Sequence, residues 1–234
     1  MARGTGRGAL AGTAAALAAA ALLAGCASGT EPAGAEGGTS PRPAAERTAP
    51  SAPASPSPAA SPAAAARGAT VGAAGSSCPL PVTFDTAADW EPKRIKPITD
   101  PDLRELAEQG PLTLVCEIDA KPAGHLGFLN VWTDDAKGTT PRAALESFVA
   151  ADDSPASAVY RDVRLGRGGT LAGTEVTYLV TSALLDEQKK ARALAVATPR
   201  GPLVLELGGM DTDEHESMLP AYELAKATLA VTAG

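Results

Sequence analysis

Residues 171–207, LAGTEVTYLVTSALLDEQKKARALAVATPRGPLVLEL, carry the pattern that decides the fold. Three segments in this stretch have strand character: Leu171–Thr181, Ala191–Thr198 and Leu203–Leu207. The sequence Pro-Arg-Gly-Pro at 199–202 is a turn signal between the last two. Because short links join antiparallel neighbours, these segments predict a meander within an antiparallel sheet.

The regions before this stretch predict more strands and a covering helix. Thr140-Pro141 predicts the start of a helix to about Ala151, whose apolar side chains fall on one face. The residues between Asp102 and Gln109 predict a short helix with proline in its first turn. The further segments with strand character are Leu112–Asp119, Leu126–Thr133 and Val159–Leu165.

A last helix is predicted after the meander. Asp211 at its cap and Glu214 three residues later fit a capping box, and the apolar pattern continues to about Leu229. Pro220 is expected to kink or restart this helix. The elements together predict an α+β fold, with an antiparallel β-sheet flanked by helices.

Aromatic residues are confined to the later part of the chain. No residue before Phe84 is aromatic, so we expect residues 1–77 to form no packed core. One globular domain is predicted over residues 78–234. The net charge of -7 argues against a nucleic-acid-binding protein, which needs clustered Lys and Arg.

The N-terminus has the order of an export signal. Arg3 and Arg7 precede an apolar run over residues 9–23, which ends in Leu-Ala-Gly-Cys at 23–26. At about 22 Å of helix the run is too short for a membrane span, so residues 1–25 are interpreted as a signal peptide. Cleavage of an ordinary secretory signal after an Ala-rich stretch is the alternative.

Residues 23–26 resemble the lipobox of bacterial lipoproteins, in which the cysteine is acylated and becomes the mature N-terminus. The resemblance implies that Cys26 is the lipid attachment site and that acyl chains hold the protein at the cell membrane, on its extracytoplasmic face. Residues 26–77 are then the lipidated N-terminus and an Ala/Pro/Ser-rich disordered linker, with an r.m.s. reach of roughly 40 Å. Proline motifs for a partner, or glycosylated Ser and Thr, are the alternatives to a plain linker.

Two cysteines remain in the predicted domain. Because the chain is exported, Cys78 and Cys116 are predicted to form a disulfide that stabilises the fold by about 4 kcal/mol in the chain-entropy model. Two free thiols or a redox pair are the competing interpretation, although the C-x-x-C spacing is missing.

The order of elements resembles the Mog1/PsbP-like fold, and more specifically the LpqN-type lipoproteins of actinobacteria. The resemblance starts with Val82-Thr83-Phe84 and Trp90 and continues through the central strands to the closing amphipathic helix. It implies an α/β/α sandwich and a family of non-enzymatic binding or assembly factors, some linked to the cell envelope. The resemblance assigns no functional residue to this sequence, because the family has no fixed catalytic set.

Known catalytic and metal-binding motifs fail on this sequence. The chain has two histidines, His125 and His215, and no G-x-S-x-G elbow. An H-E-x-x-H motif starting at His215 fails because the position four residues on is Leu219. No enzyme activity, cofactor or metal site is therefore predicted. Asp211 and its acidic neighbours are interpreted as helix caps, with a weak metal pair of Asp211 and His215 as the alternative.

The remaining polar and aromatic features have two interpretations each. His125 is interpreted as a turn residue or a ligand, and the glycines of residues 166–169 as a hairpin turn or a phosphate loop. A cluster of basic residues at a strand end is either solvated, or protects a sheet edge, or docks an anionic partner. Two tryptophans either pack in the core or line an apolar pocket. The candidate binding residues are Trp90, Trp132, Lys189, Lys190 and Arg192.

Three functional hypotheses follow. The first is a lipid-anchored extracytoplasmic module that binds an unknown envelope protein or lipid through one sheet face or a groove beside the last helix. The second is a carrier of a lipid or other apolar ligand, which requires an apolar cavity. The third is an enzyme of unrecognised type, which requires titratable groups clustered in a cleft.

Overall fold

The structure, a computed structural model, describes residues 64–152, 154–182 and 186–232. The predicted signal peptide 1–25, Cys26 and the linker up to residue 63 lie outside the described residues. In the described ranges, no helix has the length and apolar character that a membrane crossing needs.

Eleven strands form two antiparallel sheets among the described residues. In chain order they are β1 (Arg67–Val71), β2 (Val82–Ala87), β3 (Glu91–Arg94), β4 (Glu108–Gln109), β5 (Leu112–Asp119), β6 (Gly127–Thr133), β7 (Ala156–Leu165), β8 (Leu171–Ser182), β9 (Glu187–Thr198), β10 (Gly201–Gly209) and β11 (Ala230–Val231). The larger sheet has the order β3-β5-β6-β10-β9-β8-β7, with β4 beside β5, and the smaller sheet has the order β1-β2-β11.

The predicted meander is confirmed. Strands β7 to β10 pair in sequence order and are all antiparallel. The turn between β7 and β8 uses Gly166, Gly168 and Gly169 at φ values of 74°, 77° and 63°, so the glycines form a hairpin turn as predicted. Strand β9 begins at Glu187, four residues earlier than the sequence predicted, because residues 187–190 continue the register against β8.

Two α-helices pack on the larger sheet. Helix α1 (Pro141–Ala150) is capped by Thr140, whose Oγ1 accepts from Ala143 N at 3.2 Å. Helix α2 (Thr212–Thr228) is capped by Asp211, whose Oδ1 accepts from Glu214 N at 2.8 Å. Both caps are confirmed. The acidic side chains in the first turn of α2 also interact favourably with the positive end of the helix dipole.

Two helix predictions need correction. The segment predicted as a helix over 102–109 is a 3-10 helix, Pro101–Ala107, which ends because Glu108 and Gln109 pair with β5 as β4. Of the kink or restart expected at Pro220, the restart does not occur, because α2 runs through the proline as one element. Its buried residues before and after the proline, Met218 and Tyr222, both pack on the same core.

The larger sheet separates two hydrophobic cores, since alternate side chains of each strand point to opposite faces. One core lies under α1 and contains Leu145 and Phe148. The other lies under α2 and the smaller sheet and contains Phe84, Leu205 and Tyr222. The predicted antiparallel sheet flanked by helices is thus confirmed, and both of its faces are covered.

The folded part begins earlier than predicted. The sequence placed the linker boundary between residues 77 and 78, but β1 spans Arg67–Val71 and pairs with β2. Val71 is buried in the core under α2, and Gly72 bridges Pro79. The prediction was wrong because it relied on aromatic content, whereas β1 needs only main-chain hydrogen bonds and one buried valine to join the sheet.

The structure contains the disulfide between Cys78 and Cys116, with Cα atoms 5.9 Å apart. It links the segment between β1 and β2 to the middle of β5, and both cysteines are buried. The bridge closes a sequence separation of 38 residues, for which the chain-entropy estimate is about 4 kcal/mol.

Candidate functional site

A groove of about 390 Å³ lies between α2 and the strands β7, β8 and β9. We call it the α2 groove. Its walls combine apolar, hydroxyl and charged side chains, and it opens to solvent. Its polar lining includes Arg161, Glu175, Thr177, Lys190, Arg192, His215 and Glu216.

The pairing of β7, β8 and β9 brings together the residues on the sheet side of this groove. Arg161 on β7 lies opposite Glu175 on β8, and Thr177 on β8 lies opposite Arg192 on β9. Neighbouring strands are about 4.8 Å apart, and residues two apart on a strand share a face. A charged patch thus forms on the α2 side from residues that lie far apart in the sequence.

Glu175 is the anion at the inner end of the α2 groove. It is 7% exposed and accepts from Tyr222 Oη at 3.0 Å and from Lys226 Nζ at 2.8 Å. Burial, then the charge of Glu175, raise the pKa of Tyr222 well above its usual value, so its hydroxyl keeps its proton. Two donors, one of them charged, therefore hold Glu175 Oε1 in place.

Arg192 is the central cation of the groove. Its Nη1 lies 3.5 Å from Glu223 Oε1, and its guanidinium lies 5.9 Å from the centre of the Tyr222 ring. Glu223 also lies 3.6 Å from Lys226 Nζ, so one carboxylate serves two cations. The Nε atom of Arg192 is buried and has no hydrogen-bond partner among the described residues. A charged donor without an acceptor is expensive to bury.

His215 forms the helix side of the groove and is 2% exposed. Burial, and then the positive charge of Arg192, lower its pKa to about 4, against opposing contributions from the Leu207 carbonyl and Glu216. The ring is therefore neutral near pH 7. Its Nδ1 atom is a second buried polar atom without a partner among the described residues.

The outer end of the groove carries a neutral ion pair. Lys190 Nζ donates to Glu216 Oε1, and both side chains are half exposed. This hydrogen bond, together with the charge of Lys190, lowers the pKa of Glu216. The pair links β9 to the first turns of α2 and contributes no net charge to the groove.

The predicted basic cluster does not form one site. Lys189 points to the α1 side of the sheet, where its Nζ donates to Gly209 O at 2.6 Å, while Lys190 and Arg192 point into the α2 groove. Side chains alternate along a strand, so neighbours such as Lys189 and Lys190 separate. Strand β9 lies between β8 and β10, but its pairing with β10 ends at Arg192, so Lys189 and Lys190 pair only with β8 and lie at a local edge of the sheet.

The two tryptophans belong to the cores. Trp132 packs on Phe148 of α1 with ring centroids 5.5 Å apart. Trp90 is buried in the core under α2, beside a shallow groove of about 200 Å³ that also contains His125. The core interpretation is confirmed for both. They lie in different cores on opposite sides of the sheet, so they do not line a common pocket.

His125 makes a cluster that superficially resembles a catalytic triad. Its Nδ1 lies 2.8 Å from Glu214 Oε1 and 3.2 Å from Ser217 Oγ. A serine hydrolase needs the acid and the serine on opposite ring nitrogens, so that the ring can relay a proton. Here both contact the same nitrogen, and the cluster instead links the turn before β6 to the start of α2.

The α1 side of the sheet holds a smaller polar cluster. Asn130 Nδ2 donates to Glu206 Oε2 at 2.9 Å, and burial raises the pKa of Glu206 in spite of this hydrogen bond. Tyr178 Oη donates to Asp152 Oδ2 at 3.0 Å. Among the described residues, no group of three or more His, Cys, Asp and Glu side chains is placed to hold a metal ion.

Sequence reasoning found Lys190 and Arg192 of the groove and missed Arg161, Glu175 and His215. A usable signal existed for His215, because it shares a helix face with Met218 and Tyr222 at the spacing of a buried stripe. Arg161 and Glu175 gave no such signal, because an exposed-looking charge on a strand does not reveal its cross-strand neighbour.

Comparison with known proteins places the chain in a family. A family model described as "uncharacterised lipoprotein" matches residues 48–229, most of the chain. The chain belongs to this lipoprotein family. The match starts before Cys78, in agreement with a folded part that includes β1. No curated protein sequence matches the chain.

Solved structures also match. The solution structure of cyanobacterial PsbP (CyanoP) from Synechocystis sp. PCC 6803 is similar, with a TM-score of 0.42 and 12% sequence identity. The match covers 64% of this lipoprotein and 86% of the cyanobacterial chain.

Proposed function

We propose that this lipoprotein is a non-enzymatic binding or assembly module, anchored by acylated Cys26 on the extracytoplasmic face of the cell membrane, which holds an envelope partner in the α2 groove. Cleavage after residue 25, an actinobacterial source and an LpqN-type relationship are part of this proposal. Membership of a lipoprotein family supports the anchored location.

One observation carries the choice of the α2 groove. Arg192 Nε and His215 Nδ1 both belong to residues that line it, and they are two of five buried side-chain atoms without a hydrogen-bond partner among the described residues. Of the other three, Asp85 Oδ2 has an ion pair with Arg67, and Asn130 Oδ1 and Trp132 Nε1 belong to residues that line no solvent-open groove described below. Buried polar groups in folded proteins are nearly always hydrogen-bonded, and exceptions mark sites where a water or a ligand completes the network. Both atoms are enclosed in the structure, so a bound partner would supply the missing bonds only if the side chains around them move aside.

The geometry gives less support to carriage of an apolar ligand. Five grooves of about 200 to 570 Å³ in the described part of the chain all open to solvent, and charged or hydroxyl side chains line the α2 groove. Apolar side chains of the sheet and both tryptophans are buried in the two cores. A carrier would need an apolar cavity, which these grooves do not provide.

Site-directed photo-crosslinking tests the proposal. A benzophenone amino acid replaces Thr177, which lies in the groove, or Thr113, an exposed residue of β5 away from it. In intact envelopes we expect a discrete adduct from position 177 and none from position 113. The charge reversal Arg161→Glu should reduce the adduct at position 177 severalfold. Equal adducts at both positions, or none at 177, would contradict the proposal.

A further inference from the structure

The α2 groove has a surplus of positive charge, although the whole chain has a net charge of -7. Glu175 and Glu223 face Arg192 and Lys226, and these four charges balance. Lys190 and Glu216 neutralise each other. Arg161 lies in the same groove and makes no ion pair among the described residues. One cation is therefore left over.

The unpartnered donor points to the same chemistry. The guanidinium of arginine has five N–H donors and no acceptor, so the free Nε–H of Arg192 can be satisfied only by an acceptor. Within the groove, Arg192 lies directly opposite Thr177 of β8, and His215 of α2 lines the same groove. Planar guanidinium groups form their strongest hydrogen bonds with carboxylate and phosphate oxygens.

His215 fits an anion without adding charge. A neutral imidazole carries one N–H, and an oxyanion beside Nδ1 favours the tautomer with the hydrogen on that nitrogen. The carboxylates at the groove do not oppose such a ligand strongly. Glu175 is held by Tyr222 and Lys226, and Glu216 by Lys190.

We propose that the α2 groove binds an oxyanion of its ligand, a carboxylate or a phosphate, between the side chains of Arg192 and Arg161. This inference rests on the proposed function and names the chemical group by which the partner is held. The anion would balance the charge of Arg161 and, once the side chains that enclose these atoms move aside, accept from Arg192 Nε and His215 Nδ1. The same group on a protein, a polymer or a lipid would satisfy this site.

The test uses the mature acylated chain in neutral detergent micelles, with the arginine Nε–Hε signals observed by ¹⁵N NMR. Inorganic phosphate and N-acetylglycine are the two probes, and sodium chloride at equal ionic strength is the control. We expect the Arg192 signal to shift saturably with at least one probe and not with chloride. The probe that saturates at the lower concentration identifies phosphate or carboxylate as the preferred group.

Three variants complete the test. Arg161→Gln, on the exposed strand β7, should weaken the preferred probe about tenfold, as expected for the loss of one charge-assisted contact. Arg192→Gln removes the Arg192 signal, so binding is followed at the signals of the other groove residues. We expect these signals to show no saturable shift. Arg200→Gln removes one positive charge from the exposed turn between β9 and β10, and should leave affinity within twofold.

The results separate this inference from the proposed function. Equal affinity in Arg161→Gln and the unmodified chain, or shifts that never saturate, would overturn the oxyanion site even if Thr177 crosslinks to an envelope partner. Saturable binding that depends on both arginines would support the site even if that crosslink is absent, in which case the envelope role alone fails. Unchanged amide spectra of Arg161→Gln would show that any loss of binding is not a loss of fold.

Discussion

Arg67 on β1 and Asp85 on β2 form an ion pair of 2.9 Å, with Asp85 almost fully buried and Arg67 half exposed. Thr70 Oγ1 donates to the other carboxylate oxygen at 2.6 Å, and Arg167 lies 3.6 Å away. Asp85 therefore depends mainly on a strand that the sequence assigned to the linker. The first strand is part of the folded unit, and its removal would leave a poorly paired buried charge.

Removal of β1 should destabilise the protein. A chain beginning at Cys78 loses the buried side chain of Val71 and the Arg67 partner of Asp85. We expect its free energy of unfolding in urea to fall by at least about 3 kcal/mol. A chain beginning at residue 64 is the control and should match the mature chain. Equal stability of the two truncated chains would show that β1 does not contribute.

Gly166 is expected to be irreplaceable, whereas Gly168 is not. Both have positive φ, 74° and 77°, but a Cβ on Gly166 would lie 2.3 Å from Leu229 O, while one on Gly168 would meet nothing within 4 Å. Gly168→Ala should cost about 1 kcal/mol of unfolding free energy from backbone strain alone. Gly166→Ala should cost at least about 2 kcal/mol more. Similar midpoints in thermal unfolding for the two variants would contradict this.

Lys226 is expected to stabilise the fold through Glu175. Lys226→Met leaves a 7% exposed carboxylate without its cation, so we expect a loss of about 3 kcal/mol in urea unfolding. The double variant Glu175→Gln with Lys226→Met should recover part of this loss, because the buried carboxylate is removed together with its cation. Arg142→Met breaks a pair whose side chains are both half exposed, and should cost below about 1 kcal/mol.

The stability of the protein should fall between pH 6.5 and pH 4 because of His215. The unfolded ring takes up a proton near pH 6.5, while burial and Arg192 lower the pKa in the folded state to about 4. The contribution is therefore complete above pH 6.5 and is lost as the pH falls toward 4, by about 3 kcal/mol. Urea unfolding at several pH values measures it.

The histidine variants isolate this contribution. His215→Gln should flatten the pH dependence in this range relative to the unmodified chain, whatever its stability at pH 7. His125→Gln keeps His215 and should retain the slope. A slope that survives unchanged in His215→Gln would assign it to other groups.

Acylation of Cys26 should be visible by mass. Trypsin does not cleave efficiently between Arg42 and Pro43, so the mature chain should give an N-terminal peptide of residues 26–47 that carries acyl groups. Cys26→Ser should remove this lipidated peptide, whereas Cys78→Ser with Cys116→Ser should retain it. An unmodified N-terminal peptide that starts elsewhere in native material would rule out the anchor.

The sequence alone determined the local features of this protein. Strand β5 and the caps Thr140 and Asp211 follow from patterns that act over a few residues, namely apolar runs, side-chain capping and proline in the first helical turn. Cys78 and Cys116 could be paired because only two cysteines remain in an exported domain. In each case the deciding interaction lies close in sequence or has no competitor.

Only the tertiary structure decided which distant residues meet. Arg161 and Arg192 share a groove because β7, β8 and β9 pair in a particular register, and a shift of one residue would send each side chain to the other face. The same alternation separates Lys189 from Lys190. The packing of α2 on those strands then buries His215 and leaves the unpartnered polar atoms, which no local pattern in the sequence encodes.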